Sequence, residues 1–340
     1  MIGSLAGRMP QAMTALSIAL ITLSDGGSYT KISLLTAAFA LGLAAGQPLL
    51  GRAIDHHDHR RVLIPAVLLS AAGYVLLDRF GTQTWLSLPL LLITGFLCPP
   101  LAACVRAVWP AVLPQPVLLE VAYAAEASLQ QVTFVGGPLL VTGTVALLGT
   151  RATALVAAAF VLTGTLLVVL VPVRLPQGAL VTKSARDGPW RVVRLRMLYL
   201  SLFCTGAFIG VIWVATVVYS HDHAEPVLSG VLVAALAFGA LVGGGVYGRM
   251  APVPAHAVGK RMVRLTSGFA TCALPLATTP APAVMGALML VAGVFLAPVL
   301  ACSYTIVQRF APSRKTTEAF AWLASSLSLG SSAGQPLPAQ

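Results

Sequence analysis

Apolar stretches long enough to cross a bilayer recur along this chain, and nearly all of its Lys and Arg residues fall in every second connection between them. A helix needs about 20 apolar residues to span the hydrocarbon core, and short cytoplasmic connections retain the basic residues. Counted from an N-terminus on the inside, that side receives Arg8; Arg52, Arg60 and Arg61; Arg106; the group from Arg174 to Arg196; the group from Arg249 to Arg264; and Arg309, Arg314 and Lys315. These are 18 of the 21 basic residues. Lys31, Arg79 and Arg151 remain for the other side. The pattern predicts an all-α integral membrane protein, multi-pass in the inner (plasma) membrane, with a cytoplasmic N-terminus.

Composition excludes most other classes. With 57% hydrophobic and 9% charged residues, the chain lacks the polar surface that a soluble domain of 340 residues would need. The formal charge of +11 is spread over short loops without interleaved aromatics, so it reads as topology and predicts no nucleic-acid partner. The five cysteines all lie in apolar stretches and form no CxxC, which gives no support for a metal site or a disulfide frame. No phosphate-cradling glycine loop, nucleophile elbow or HExxH pair occurs, so neither an enzyme nor a bound cofactor is expected. The first apolar stretch ends in Ser24-Asp25-Gly26-Gly27, which is no signal-peptidase site, and it reads as the first helix.

Helices are expected near 9–24, 30–50, 62–77, 85–108, 119–148, 152–173, 197–219, 227–247, 263–279, 283–306 and 317–335. Between the sixth and seventh lies the one long hydrophilic stretch. It divides the chain into a six-helix half (1–173), a cytoplasmic linker (174–196) and a second half (197–340). The halves repeat. Phe96-Leu97-Cys98-Pro99-Pro100-Leu101-Ala102 matches Phe295-Leu296-Ala297-Pro298-Val299-Leu300-Ala301. Gly46 and Gly51-Arg52 match Gly243 and Gly248-Arg249. Glu120, Ser128-Leu129, Gly136 and Pro138 match Glu318, Ser326-Leu327, Gly334 and Pro336. Two parallel six-helix units with a site between them near the midplane form a known transporter architecture. Shifted by the same offset, the sixth helix has its counterpart beyond Gln340. The expectation is therefore eleven membrane helices, a second half truncated after the eleventh, and a C-terminus on the outside.

The connection from Gly51 to Leu63, GRAIDHHDHRRVL, resembles the signature loop of the major facilitator superfamily, G-x-L-A-D-R-x-G-R-R-x-x-L. Gly51, Asp55, Arg60 and Leu63 match, while His56, Asp58 and His59 stand where the family usually has Arg, Gly and Arg. RMPQAM at Arg8 to Met13, YAAEASLQQVTFVGGPLL at Tyr123 to Leu140 and TEAFAWL at Thr317 to Leu323 extend the resemblance over the whole chain. It implies the major facilitator fold of two six-helix pseudo-repeats. It also implies a gating motif, here Gly51, Arg52, Asp55, Arg60 and Arg61, whose Asp meets the start of the eleventh helix at the cytoplasmic mouth. The fold further implies a cavity lined by the first, fourth, seventh and tenth helices, nominating Ser17, Trp213, Tyr304 and Gln308. Gly137-Pro138 is similar to a fragment of the family's antiporter motif, without its further glycines.

Ionisable groups inside the spans are the natural site candidates, because hydrocarbon tolerates them only beside a cavity or a partner. Glu126 lies inside the fifth helix with Gln130 one turn on and Gln131 beside it. Either Glu126 accepts a proton or a cation while the amides bind substrate, or the stripe joins helices with Glu126 paired to Arg106. With no nucleotide-binding motif, energy must come from an ion gradient. The chain is expected to be a monomeric secondary transporter exporting a small organic molecule with proton exchange. A non-transporting sensor or a decayed transporter of the same fold is the alternative.

Overall fold

The computed structural model describes residues 2–335 apart from 83–84, 171–187, 224, 251–253, 255 and 313. The first six crossings are α1 (Ile2–Ser24), α2 (Tyr29–His56), α3 (His59–Phe80), a fourth made of α4 (Ser87–Phe96) and α5 (Leu101–Val112), α6 (Pro116–Leu148) and α7 (Ala152–Leu170). A short turn, Pro189–Arg191, leads into α8 (Val193–Asp222), α9 (Pro226–Gly248), α10 (Val258–Ala273), α11 (Pro282–Phe310) and α12 (Thr316–Ala333). Eight of these helical stretches, the fourth crossing counted as one, are long and apolar enough to span a membrane. The remaining three, α1, α10 and α12, are shorter or more polar and pack in the same bundle. Among the described residues there is no strand, as expected where each backbone N–H and C=O must find a partner without water.

The structure corrects the expected boundaries at four places. The fourth helix, expected unbroken over 85–108, stops at Phe96 and restarts at Leu101. Pro100 forces Pro99 out of the helical region and neither proline donates an N–H, so the ladder cannot continue. Its counterpart has a single proline, Pro298, and there α11 runs on without a break. The helix expected over 263–279 starts earlier, at Val258, and ends at Ala273. Pro275 then tightens Leu274–Thr278 into a 3-10 turn. The first helix begins at Ile2, not near 9, which carries Arg8 into its second turn. Val193 to Arg196, assigned to the linker, belong to α8, while Arg174, Lys183 and Arg186 lie outside the described residues, as do Pro336 and the residues after it.

The sequence repeat is also a repeat of contacts. A Cβ on Gly42 or Gly46 of α2 would collide with the carbonyl oxygens of Leu92 and Phe96 in α4. A Cβ on Gly239 or Gly243 of α9 would collide in the same way with those of Leu290 and Val294 in α11. Lipid gives helices no hydrophobic reason to associate, so small residues that let backbones touch supply the packing energy. Likewise Gly137 brings α6 against Ala12 of α1, and Gly206, Gly210, Gly330 and Gly334 bring α8 against α12. The halves meet along α2 with α12 and α6 with α9 and α11.

The end of the bundle that carries Lys31, Arg79 and Arg151 is pinned inside the first half. Asp25, just after α1, accepts from the Thr82 N–H at 2.8 Å, the Thr82 hydroxyl at 3.2 Å and Arg151 Nη2 at 3.0 Å. Gly81 at φ +62° makes room, since a Cβ there would strike the Asp25 carboxylate. Burial pushes the Asp25 carboxyl up, but these donors pull it further down, and it ends below the usual carboxylate range.

Two outcomes follow for stability. Gly46→Ala forces α2 off α4 and lowers unfolding stability by about 1–3 kcal/mol in a detergent unfolding series. Gly143→Ala, where a Cβ meets nothing within 4 Å, leaves it unchanged or slightly higher. Because Asp25 titrates low when folded, its contribution is complete above the ordinary carboxylate range and is lost as pH falls through its depressed value. Asp25→Asn removes that acid-limb loss from the melting temperature measured against pH.

Candidate functional site

Four helices bring polar groups together inside the bundle. Glu126 of α6 accepts from Arg106 Nε of α5 at 3.0 Å and Arg8 Nη1 of α1 at 3.4 Å through one oxygen, and from the Trp109 indole at 3.1 Å through the other. Gln130, one turn on, accepts through its amide oxygen from Arg8 at 2.8 Å, Arg106 at 3.2 Å and the Tyr304 hydroxyl of α11 at 3.1 Å. The Arg106 guanidinium lies over the Tyr304 ring, 3.9 Å from its centre. Tyr123 donates to Gln308 at 3.4 Å and packs edge-on to Tyr304, with Phe320 of α12 tilted against Tyr123 and edge-on to Tyr304. Arg8, Arg106 and Glu126 are all buried.

Local sequence accounts for this placement. Arg106 and Trp109 are three residues apart on α5, and Glu126 and Gln130 four apart on α6, so each pair shares a helix face. Charges desolvated to this degree persist only when paired and hydrogen-bonded, and here each oxygen of Glu126 has a donor. Of the two roles open for Glu126 in the sequence, its pairing with Arg106 is the arrangement seen. Gln131 is buried but takes no part in these bonds among the described residues.

At the basic end, Asp55 in the last turn of α2 accepts from the N–H groups of Thr317 at 3.1 Å and Glu318 at 2.8 Å, both in the first turn of α12. The free donors and the positive dipole end of a helix make this a favourable seat for a carboxylate. Gly51 lets the helices approach, since a Cβ there would stand 3.1 Å from Ala321 Cβ and from the Thr317 carbonyl oxygen. Ser325 of α12 donates to the Ala44 carbonyl at 2.9 Å, and Arg309 of α11 pairs with Glu120 of α6 at 3.4 Å. Arg52, Arg60 and Arg61 are exposed and stay out of the contact, while Asp58 caps α3 by accepting from the Arg60 N–H at 3.1 Å.

The residues nominated as cavity lining separate. Tyr304 and Gln308 join the polar cluster, Trp213 is half-buried on α8, and Ser17 is buried in α1 with its hydroxyl unpartnered among the described residues. Arg8, Trp109 and Tyr123 were absent from the sequence candidates. Arg8 counted only as a topogenic charge because the first helix was started one residue too late to include it. Its spacing from the apolar residues before it, Ile2, Leu5 and Ala6, is the signal that was available.

Removing the shared acceptor tests the cluster. Glu126→Ala strands two buried guanidinium groups and costs about 3–5 kcal/mol in unfolding stability. Arg106→Gln combined with Glu126→Gln recovers part of that loss, and a double-mutant cycle reads the coupling.

Comparison with known proteins bears on the whole chain. The sequence profile of the Major Facilitator Superfamily matches residues 1–335. Two crystal structures of a bacterial homologue of the iron transporter ferroportin, both outward-facing and one with soaked iron, superpose with TM-scores of 0.70 and 0.69 at 18% identity. Each alignment covers 97% of this chain and 88% of the other. No curated protein sequence matches.

Proposed function

The chain belongs to the Major Facilitator Superfamily, and from that premise we propose that it exports a small organic solute across the plasma membrane, coupled to protons, with its N-terminus in the cytoplasm. Membership makes it a multi-pass membrane transporter and not an enzyme. The direction, the coupling ion and the orientation are our reading.

The observation that carries the reading is the seat of Asp55 on the first turn of α12, across the boundary between the halves. A carboxylate at a helix N-terminus contributes about 0.3–1 kcal/mol when exposed and up to about 2 kcal/mol when partly buried, enough to bias a gate without locking it. Further polar contacts between the halves are Tyr304 with Gln130, Tyr123 with Gln308, Arg309 with Glu120 and Ser325 with Ala44. Halves that meet through a few polar bonds beside helix packing suit rocking around a central site, and in our reading this arrangement is the outward-facing member of such a pair. Arg106, Glu126, Gln130 and Gln131 form the proposed proton and substrate site, which must lose its bonds to Tyr304 when the basic end opens.

The structural neighbours are homologues of an iron transporter. Among the described residues no three His, Cys, Asp or Glu side chains gather to hold a metal ion, and the cargo proposed for this chain is an organic solute.

Flux of a compound panel from proteoliposomes under an imposed pH gradient tests the function, and absence of flux for every compound would refute it. In the same assay Asp55→Asn lowers transport at least severalfold and raises the labelling of a cysteine placed at Ala321 from the basic side.

A further inference from the structure

The cluster around Glu126 holds more positive charge than negative. Arg8 is 7% exposed, Arg106 1% and Glu126 4%, and among the described residues no second carboxylate pairs with either guanidinium. The other groups facing Glu126 and Gln130 are uncharged, namely the Trp109 indole of α5 and the Tyr304 hydroxyl of α11. Two guanidinium groups thus share one carboxylate inside a membrane bundle, which leaves them short of acceptors and open to a second one.

A second observation lies beside Arg8. Ser4, one turn earlier on α1, is 3% exposed, and its hydroxyl has no hydrogen-bond partner among the described residues. Together with Arg8, Glu126 and Val105 it lines a cavity of about 10 Å³, room for one water molecule. A buried donor without an acceptor, next to an arginine in excess, is half of an anion seat in contracted form. The planar fork of a guanidinium matches a carboxylate.

Resting on the transporter reading above, we propose that the solute is an organic carboxylate whose charged group is taken up by Arg8, Arg106 and the Ser4 hydroxyl when the basic end opens. Such an anion competes with Glu126 for the same two guanidinium groups. The displaced Glu126, left facing only Gln130, Trp109 and Tyr304, takes a proton from the water that enters with the solute. One negative and one positive charge are added, and the cluster keeps its net charge. Solute and proton then cross in the same direction, so an inward proton gradient drives uptake of the carboxylate, in place of the proton-driven export proposed above.

Thermal unfolding of the full chain in nanodiscs, with benzoate, benzamide and benzylamine at equal ionic strength, tests this with ligands that differ in charge at constant shape. Benzoate is expected to raise the melting temperature by several degrees and the other two to leave it unchanged. The benzoate effect should strengthen as pH falls and become independent of pH in Glu126→Gln. Arg106→Gln should abolish it, and Ser4→Ala, a milder change that leaves the ion pairs intact, should weaken apparent affinity severalfold. Equal stabilisation by benzamide or benzylamine, no benzoate shift, or a full benzoate shift in Ser4→Ala would overturn the proposal. Reconstituted flux separates the two readings. Transport of neutral or cationic solutes alone removes the carboxylate and leaves the transporter, whereas benzoate binding without flux of any solute removes the transporter and leaves the anion site.

Discussion

Backbone-to-backbone contact at glycine is the interaction on which this bundle depends. Between apolar helices in lipid there is no water to expel, so attraction must come from surfaces that fit closely. Gly42 and Gly46 of α2 rest against carbonyl groups of α4, and Gly239 and Gly243 of α9 repeat the arrangement on α11. At such approach Cα–H groups also lie against carbonyl oxygens, a weak but recurrent contribution. The helices that frame the boundary between halves, α2 and α9 among them, are thereby fixed within their own halves. What remains free to change is the contact from one half to the other.

That contact is built differently. Inside each half close contacts at glycine hold the helices together, whereas across the boundary the described contacts toward the basic end include single hydrogen bonds, one ion pair and edge-on rings. Each polar bond is worth about 1 kcal/mol net, and together they favour one arrangement without excluding another. Gly51 is the point where the two kinds of packing meet. It lets α2 approach α12 closely enough for Asp55 to reach the helix start.

The break in the fourth crossing separates two mechanical duties. α4 is held to α2 by Gly42, Gly46 and Gly95, and α5 is held to α6 and α11 through Arg106, with Trp109 adding a bond to Glu126. A continuous helix would tie those attachments rigidly together. With Cys98 and the two prolines between them, the Cys98 carbonyl is satisfied by the Gln47 side chain at 3.4 Å instead of by a helical N–H.

Hydropathy and charge determined the class, the number of crossings and the two-fold repeat, because the bilayer imposes helix length and side-chain polarity residue by residue. The Asp55 contact was implied instead by the resemblance of the loop from Gly51 to Leu63 to a known motif, which is local in sequence. The polar cluster was half legible. Glu126, Gln130 and Arg106 stand out as polar groups in apolar stretches, but Arg8 reads as one more topogenic charge, and Trp109 and Tyr123 carry no charge to mark them there. Only the tertiary structure decided that Arg8, Arg106 and Glu126 meet, since 118 positions separate the first from the last of them. It also decided that the fourth crossing breaks while the tenth does not. Proline pairs and single prolines both occur within membrane helices, and the outcome depends on which neighbour, here Gln47, can satisfy the freed carbonyl.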